Sequence, residues 1–341
     1  MSDILLAIKD VEPGTIDLTV GEPHTIKKAL FENFDVSQFK VFKQEHGFWE
    51  YQKPNGYGPL VSYLEKKHNA PVIITNGAKN GLASYFYACS KMGLLNIGMK
   101  LPYWALIPPL AKELKCNSIF CEPESIDSCD SYLLLAPNNP DGQCEDSGKL
   151  SEIASLYSQS GKIFAHDAAY YTHSYLPQDY ELKDIGDIQI YSGSKMFGLS
   201  SIRVGYVVCK NKEMYNHMCH YMETFSVGVS SLSQKIFLEI LKHFDSNLDA
   251  KLAFEQYCRD SIAKSKEILS RVNPNVIVVP EEFSKTSGMF GWVKVLNKEA
   301  LASAKINVLD GSLFGMDGYA RLNLSFEERV WLDLIERLKV F

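Results

Sequence analysis

No stretch of this chain approaches the roughly 18 consecutive apolar residues needed to cross a bilayer, which disfavours an integral membrane protein. Its first residues, MSDILLAIKD, lack a basic stretch followed by an apolar one, so a secretory signal is not expected. There is no surplus of positive charge. The 35 Lys and Arg stand against 41 Asp and Glu, a formal net charge of −6, which argues against nucleic acid or a membrane surface as partner. No repeat or low-complexity linker interrupts the chain, and no G-x-G-x-x-G opens a helix, which sets aside a dinucleotide-binding oxidoreductase. The eight cysteines form no CxxC pair, and their scatter suits free thiols in a reducing cytosol, so a cytoplasmic location is expected. His217, Cys219 and His220 are close in sequence, but on a helix such neighbours point in different directions, so no metal site is expected. What remains is an ordinary globular composition. The 341 residues are 46% hydrophobic, 12% aromatic and 22% charged, enough for a large core and a second lobe.

Strand-like and helix-like segments alternate through the first two thirds. Pro59 to Asn69 carries apolar residues at Leu60, Tyr63 and Leu64, a helical spacing that breaks at Ala70-Pro71. The run from Pro71 to Thr75 reads as a strand and Asn80 to Lys91 as a helix. Ser131 to Ala136 is a buried strand closed by a Pro/Asn/Gly turn; Lys149 to Ser160 is helical and Lys162 to His166 is a strand. Ile188 to Tyr191 and Arg203 to Cys209 are further strands. This pattern implies an α/β fold, a mostly parallel sheet with helices on both faces. After Lys210 the texture changes: Asn211 to His243 and Leu248 to Arg271 are long and helix-rich. Short strands then mix with helices up to a last helix over Glu327 to Lys339. That reads as a smaller α+β domain, with a large domain over 25–245 and a small one made of 1–24 together with 246–341.

In open parallel sheets ligands sit at the carboxyl ends of the strands, so the residues just after each strand carry the information. After Thr75 comes Asn76-Gly77-Ala78-Lys79, small residues opening a helix, as a phosphate site requires. Glycine at such a turn also has a purely geometric reading. Ser192-Gly193-Ser194-Lys195 is sharper, a lysine among hydroxyls directly after a strand, with Arg203 eight positions on. A desolvated lysine there loses its proton and becomes an amine nucleophile, while Arg203 and Ser192 offer donors to a phosphate. A surface lysine beside a strand arginine is the alternative. Asp167 ends an apolar strand, which is costly for a carboxylate unless a cation such as a pyridinium nitrogen meets it. Tyr170, three residues on, is placed to donate its phenol; capping a turn is the other reading of Asp167.

In order along the chain, these motifs resemble the fold-type I, pyridoxal-phosphate-dependent aminotransferases of class I/II. The family's Ser-x-Ser-Lys-x-x-Gly followed by Arg-x-Gly stands as SGSKMFGLSSIRVG, residues 192 to 205; its Asn-Pro-x-Gly stands as NPDG, 139 to 142, and its Asp-x-x-Tyr as DAAY, 167 to 170. Gly21-Glu22-Pro23, Tyr51 ahead of Gly56, Pro102-Tyr103-Trp104 and Arg321 in ARLNLS complete the set.

The resemblance implies roles. Lys195 would form the Schiff base with the cofactor and shuttle the proton, and Asp167 would pair with the pyridine nitrogen. Asn139 and Tyr170 would hydrogen-bond the ring oxygen, and Trp104, rather than Tyr103, would stack on the ring. Ala78 and Lys79 through their backbone, with Ser192, Ser194 and Arg203, would hold the phosphate. Arg321 would grip the substrate carboxylate, aided by Asn139 and the backbone of Gly21. Tyr51 would reach the phosphate of a neighbouring subunit, so a homodimer with shared active sites is implied. The implied activity moves an amino group between an amino acid or related amine and a keto acid. A lyase or decarboxylase of the same fold, or a non-catalytic member, is the alternative. The chain also departs from the pattern. It is short for the family, has His24 where an acidic residue often follows Gly-Glu-Pro, and shows LLNIGMK before Pro102 without the usual acidic turn. No second arginine for a dicarboxylate side chain is apparent. His24 and the aromatic run Phe39, Phe42, His46, Phe48 and Trp49 are candidates for pocket residues, though a solvated loop and ordinary packing are the commoner uses of such residues.

Overall fold

A computed structural model of the chain describes residues 11–33 and 50–341. The aromatic run from Phe39 to Trp49 lies outside the described residues. Strand β1 (Ile16–Asp17) and helix α1 (His24–Asn33) precede α2 (Gly58–His68), β2 (Val72–Thr75) and α3 (Ala78–Lys91). Then come β3 (Asn96–Met99), α4 (Ile107–Glu113), β4 (Asn117–Phe120), β5 (Ser131–Leu135), α5 (Ser147–Gln159) and β6 (Ile163–Asp167). β7 (Ile188–Ser192) runs straight into one helical turn, α6 (Gly193–Met196), and β8 (Gly205–Cys209) leads to three long helices, α7 (Lys212–Ser226), α8 (Ser231–Ser246) and α9 (Leu248–Leu269). The rest comprises β9 (Ile277–Val278), β10 (Phe290–Val295), α10 (Lys298–Ser303), β11 (Ile306–Asn307), β12 (Leu309–Asp310), β13 (Tyr319–Asn323) and α11 (Glu328–Leu338).

Seven strands form one sheet in the order β2-β8-β7-β6-β5-β3-β4. From β7 to β4 the neighbours run parallel, whereas β8 is antiparallel to both β7 and β2. β5, β6, β7 and β8 are buried at every position, as expected for strands covered on both faces. A four-stranded sheet, β12-β13-β10-β9, is built from the last third of the chain, and β1 pairs in parallel with β11, so residues near the N-terminus pack with this later part.

Several element boundaries differ from the sequence reading, each for a local reason. The helix-rich stretch expected from Asn211 to His243 resolves into two helices. Val227 takes a left-handed conformation (φ 52°), Gly228 follows at φ 104°, and the Ser230 hydroxyl caps α8 by accepting from Ser233 N–H. The strand expected from Arg203 begins at Gly205, because Arg203 itself is left-handed at φ 51°. α3 starts two residues earlier than expected, at Ala78. β4 and α4, packed at the sheet's edge, carry no strong pattern and were not anticipated.

The candidate active site

A cavity of about 330 Å³ opens where β5, β6 and β7 end and the later sheet comes down on them. Gly21, Ala78, Lys79, Trp104, Asn139 and Asp167 line it, as do Tyr170, Ser192, Ser194, Lys195, Arg203 and Arg321. Of the residues to which the resemblance gives a cofactor or substrate role, Tyr51 alone is not part of this lining; it is 93% exposed on the single chain.

The alternation of strands sets which side chains enter. Ser192 ends β7, and the turn of α6 then carries Ser194 and Lys195 into the cavity. The Tyr175 hydroxyl, donating to the Lys195 carbonyl at 2.7 Å, fixes the backbone there. The Lys195 ammonium donates to the Gly21 carbonyl. Desolvation, helped by the positive charges of Arg321 and Arg203 and opposed by Glu22, lowers its pKa to about 8. Near-neutral solution therefore holds an appreciable fraction of free amine.

Asp167 closes β6, only 2% exposed, and accepts from the Ala169 N–H at 3.2 Å. No cationic side chain among the described residues pairs with it, and burial pushes its pKa up to about 7. Its strand neighbour His166 is committed elsewhere. Its Nε2–H donates to the Ala136 carbonyl at 2.7 Å, its Nδ1 accepts from Gln189 at 3.0 Å, and burial lowers its pKa to about 4, so it stays neutral.

At the other end of the cavity, α3 begins with free N–H groups: Gly77 precedes it, with no side-chain cap. Gly77 has φ +77°, and a Cβ there would come within 2.7 Å of Arg203 Nη2, so only glycine lets the arginine lie against this helix start. Arg203 Nη1 donates to the Ser194 hydroxyl at 3.3 Å and to the Ser200 carbonyl at 2.8 Å. Its left-handed backbone costs about 1 kcal/mol for a residue with a Cβ, a strain of the kind kept where a side chain must be aimed. Backbone donors, two hydroxyls and a guanidinium thus converge on one anion-sized spot.

Arg321, on β13, is 5% exposed. Its Nη1 donates to Asn139 Oδ1 at 3.1 Å and its Nη2 to the Thr19 carbonyl at 2.7 Å, while Nε is buried with no acceptor. The guanidinium lies 4.1 Å from the centre of the Phe290 ring, and burial lowers its pKa to about 10, leaving it charged. Its donors are not exhausted. Tyr170 hydrogen-bonds Asn139, and its phenol is held well above its usual pKa by burial.

Trp104 faces this cavity, whereas Tyr103 is occupied outside it, stacked on Phe120 with centroids 5.0 Å apart and planes 13° apart. His24 does not line the cavity. It starts α1 with its ring 4.5 Å from Phe326. His217, Cys219 and His220 lie on α7, and no group of three metal-binding side chains forms among the described residues. All eight cysteines are free thiols. The sequence reading had no place for the apolar wall of Leu106, Phe290, Leu309 and Phe314, nor for Thr19 as an acceptor from Arg321.

The residues present fit pyridoxal phosphate. An unpaired buried carboxyl waits for a cation, an amine is enclosed beside it, an anion cradle lies at one end, and an unsatisfied guanidinium lies at the other. Comparison with known proteins agrees. The chain is 23% identical over 311 residues to tryptophan aminotransferase-related protein 2 of Arabidopsis thaliana, covering 84% of this chain and 68% of that one. It is 26% identical over 302 residues to a probable aspartate/prephenate aminotransferase of Aquifex aeolicus, covering 79% and 75%. The fold superposes on the crystal structure of aspartate aminotransferase from Thermotoga maritima with a TM-score of 0.74 and 18% identity, over 96% of this chain and 92% of that one. The sequence profile of the allinase family matches residues 90–341. Site, fold and profile agree: the chain belongs to the allinase family, within the fold-type I, pyridoxal-phosphate-dependent class.

Proposed function

We infer that this protein is a pyridoxal-phosphate-dependent aminotransferase, moving an amino group between an amino acid and a keto acid. The observation that carries the reading is a desolvated Lys195 amine and an unpaired, buried Asp167 carboxyl in one cavity. When bound, the cofactor supplies an aldehyde that captures amines and a ring that withdraws electrons from the captured group.

The protein's part is division of labour. Ala78 and Lys79 through their N–H groups, with Ser192, Ser194 and Arg203, hold the phosphate. Asp167 would pair with the ring nitrogen and keep it protonated. Tyr170 and Asn139 would hydrogen-bond the ring oxygen, and Trp104 would stack on the ring. Arg321 takes the substrate α-carboxylate with its spare donors, and the Gly21 carbonyl orients the amine of Lys195. Lys195 Nζ, its pKa lowered by burial to about 8, would be the base that takes the substrate α-proton and returns it at the adjacent carbon. Lys195, Arg203 and Arg321 are committed and Lys79 is exposed at the start of α3, while the wall around Arg321 (Leu309, Phe290 and Phe314) is apolar, which favours substrates with uncharged side chains.

Tyr51, exposed on the single chain, supports a homodimer in which it reaches the partner's site, and eight free thiols suit the cytoplasm. No helix among the described residues is long and apolar enough to cross a membrane. The two main sheets support a large domain over 25–245 and a small one made of 1–24 with 246–341.

The test is to incubate the cofactor-loaded protein with single amino acids and a keto acid acceptor, and to follow both products by mass spectrometry. Stoichiometric appearance of a new keto acid and a new amino acid is expected, with neutral side chains preferred. Release of ammonia without an aminated product would assign an elimination instead, and no turnover with any donor would overturn the reading.

A further inference from the structure

Behind the segment that bears Lys195 lies a second cavity, of about 300 Å³. The two are back to back. Tyr170, Ser192 and Lys195 line the candidate active site, and their chain neighbours Tyr171, Tyr191 and Met196 line this one. Six aromatic side chains wall it: Tyr171, Tyr191, Phe197, Tyr206, Phe244 and Phe254. Exposed Leu182 and Lys183 are also in its lining, so it opens to solvent.

Most of its charged groups are already matched. Asp245 accepts from the Lys67 ammonium at 3.0 and 3.2 Å and from the Tyr63 hydroxyl. Asp184 meets His68 Nδ1 at 2.8 Å, Lys183 pairs with Glu181 at 2.8 Å, and His173 Nδ1 lies 3.0 Å from the Pro177 carbonyl. Glu255 is the exception. It stands on α9, 7% exposed; Gln178 hydrogen-bonds its carboxyl, Lys251 Nζ lies 4.0 Å from its Oε1, and His173 and Arg259 are near, yet its buried Oε2 has no hydrogen-bond partner among the described residues. Arg259, the nearby guanidinium, is spent on the His173 carbonyl and on Gln256.

The unmet valence of this cavity is that of an anionic acceptor set among aromatic rings. A buried carboxylate needs a positive partner, and ring faces attract the same charge. We propose that this cavity is a second binding site, for a small organic cation with N–H donors and an aromatic or apolar body, held by Glu255 against the aromatic wall. The assignment is independent of the aminotransferase reading, since none of its contacts is shared with that site.

Benzamidine is a suitable probe for calorimetry on the cofactor-loaded protein: its amidinium presents N–H donors yet does not condense with an aldehyde as a simple amine does. Saturable binding is expected, with benzyl alcohol and benzoate binding far more weakly. Glu255→Gln should weaken benzamidine about tenfold or more, since it removes the charge and keeps the shape. Lys251→Ala, which removes the competing cation, should tighten it several-fold, an opposite sign that general destabilisation does not produce. Arg321→Ala should leave it unchanged. No saturable binding, equal affinity in Glu255→Gln, or loss of binding in Arg321→Ala would each overturn the proposal.

Discussion

Replacing Asp167 with Asn isolates the charge that the site keeps in reserve. Without cofactor, burial pushes the pKa of this carboxyl up to about 7 from its ordinary 3.8, against the small opposing effect of the Ala169 N–H. An acid whose pKa is raised by folding destabilises the folded state as pH climbs. Below about 4 both states are protonated and nothing is lost; between about 4 and 7 the unfolded chain ionises and the folded one does not; above 7 the full cost stands. Three pH units at about 1.4 kcal/mol each give a ceiling of about 4 kcal/mol, less where water enters the cavity. Asparagine is isosteric, retains the bond from the Ala169 N–H, and carries no charge to bury. The cofactor-free Asp167→Asn protein should therefore resist urea better than the parent at pH 8, by about 2 to 4 kcal/mol, with the advantage fading towards pH 4. Adding pyridoxal phosphate should reverse the order. The ring cation stabilises the aspartate, and the variant, unable to answer it, should bind cofactor more weakly and turn over at least about a hundredfold more slowly. Parallel urea titrations at pH 5 and pH 8, with and without cofactor, decide it. A variant that is less stable without cofactor at pH 8, or a difference that does not change with pH, would refute the reasoning.

Capture of pyridoxal phosphate by the cofactor-free protein, followed by its visible absorption, should quicken about tenfold per pH unit up to about pH 8 and then level off, because that is where Lys195 loses its proton; a rate still climbing past pH 9 would mean an ordinary lysine. Gly77→Ala forces a Cβ against Arg203 in a left-handed backbone, and should raise the cofactor dissociation constant by tenfold or more in equilibrium dialysis while excess cofactor restores most of the turnover. Arg321→Lys keeps the charge but loses the planar fork that bridges Asn139, Thr19 and a carboxylate, so KM for the amino donor should rise by about a hundredfold in steady-state assays, with cofactor affinity unchanged.

What the sequence reveals about this site follows from where strands end. Asp167, Ser192 and Asn139 were legible because each lies at or just past the end of a mostly apolar strand, and a polar residue at such a boundary has a cost that packing alone does not repay. Lys195 and Arg203 were legible through spacing after the same boundary. The break between α7 and α8 is marked by Gly228 and Ser230, but the stretch reads only as helix-rich because helical periodicity continues on both sides of it. β4 alternates exposed and half-buried positions at the edge of the sheet, so no strong apolar run announces it.

The apolar wall was illegible for a different reason, and that reason bears on substrate choice. Leu309 and Phe290 sit on strands of the later sheet, and Phe314 in the turn after β12; local sequence does not say that they face an arginine on the neighbouring strand or across a turn. Their position emerges only when β13 pairs with β10 and β12 and brings Arg321 between them. The guanidinium, 4.1 Å from the Phe290 ring centre and 5.3 Å from that of Phe314, is thereby surrounded by groups that cannot solvate it, apart from Asn139 and the Thr19 carbonyl. A cation so enclosed binds a carboxylate more strongly than an exposed one does, because less water is displaced and the pair is less screened. The same rings then lie close to whatever extends from the substrate α-carbon. A side chain that carries its own charge would be desolvated there without compensation, whereas an aromatic or aliphatic one gains from the contact. The proposed grip on the α-carboxylate and the proposed preference for neutral side chains would thus be one property of the later sheet, created by strand pairing and invisible in any single motif.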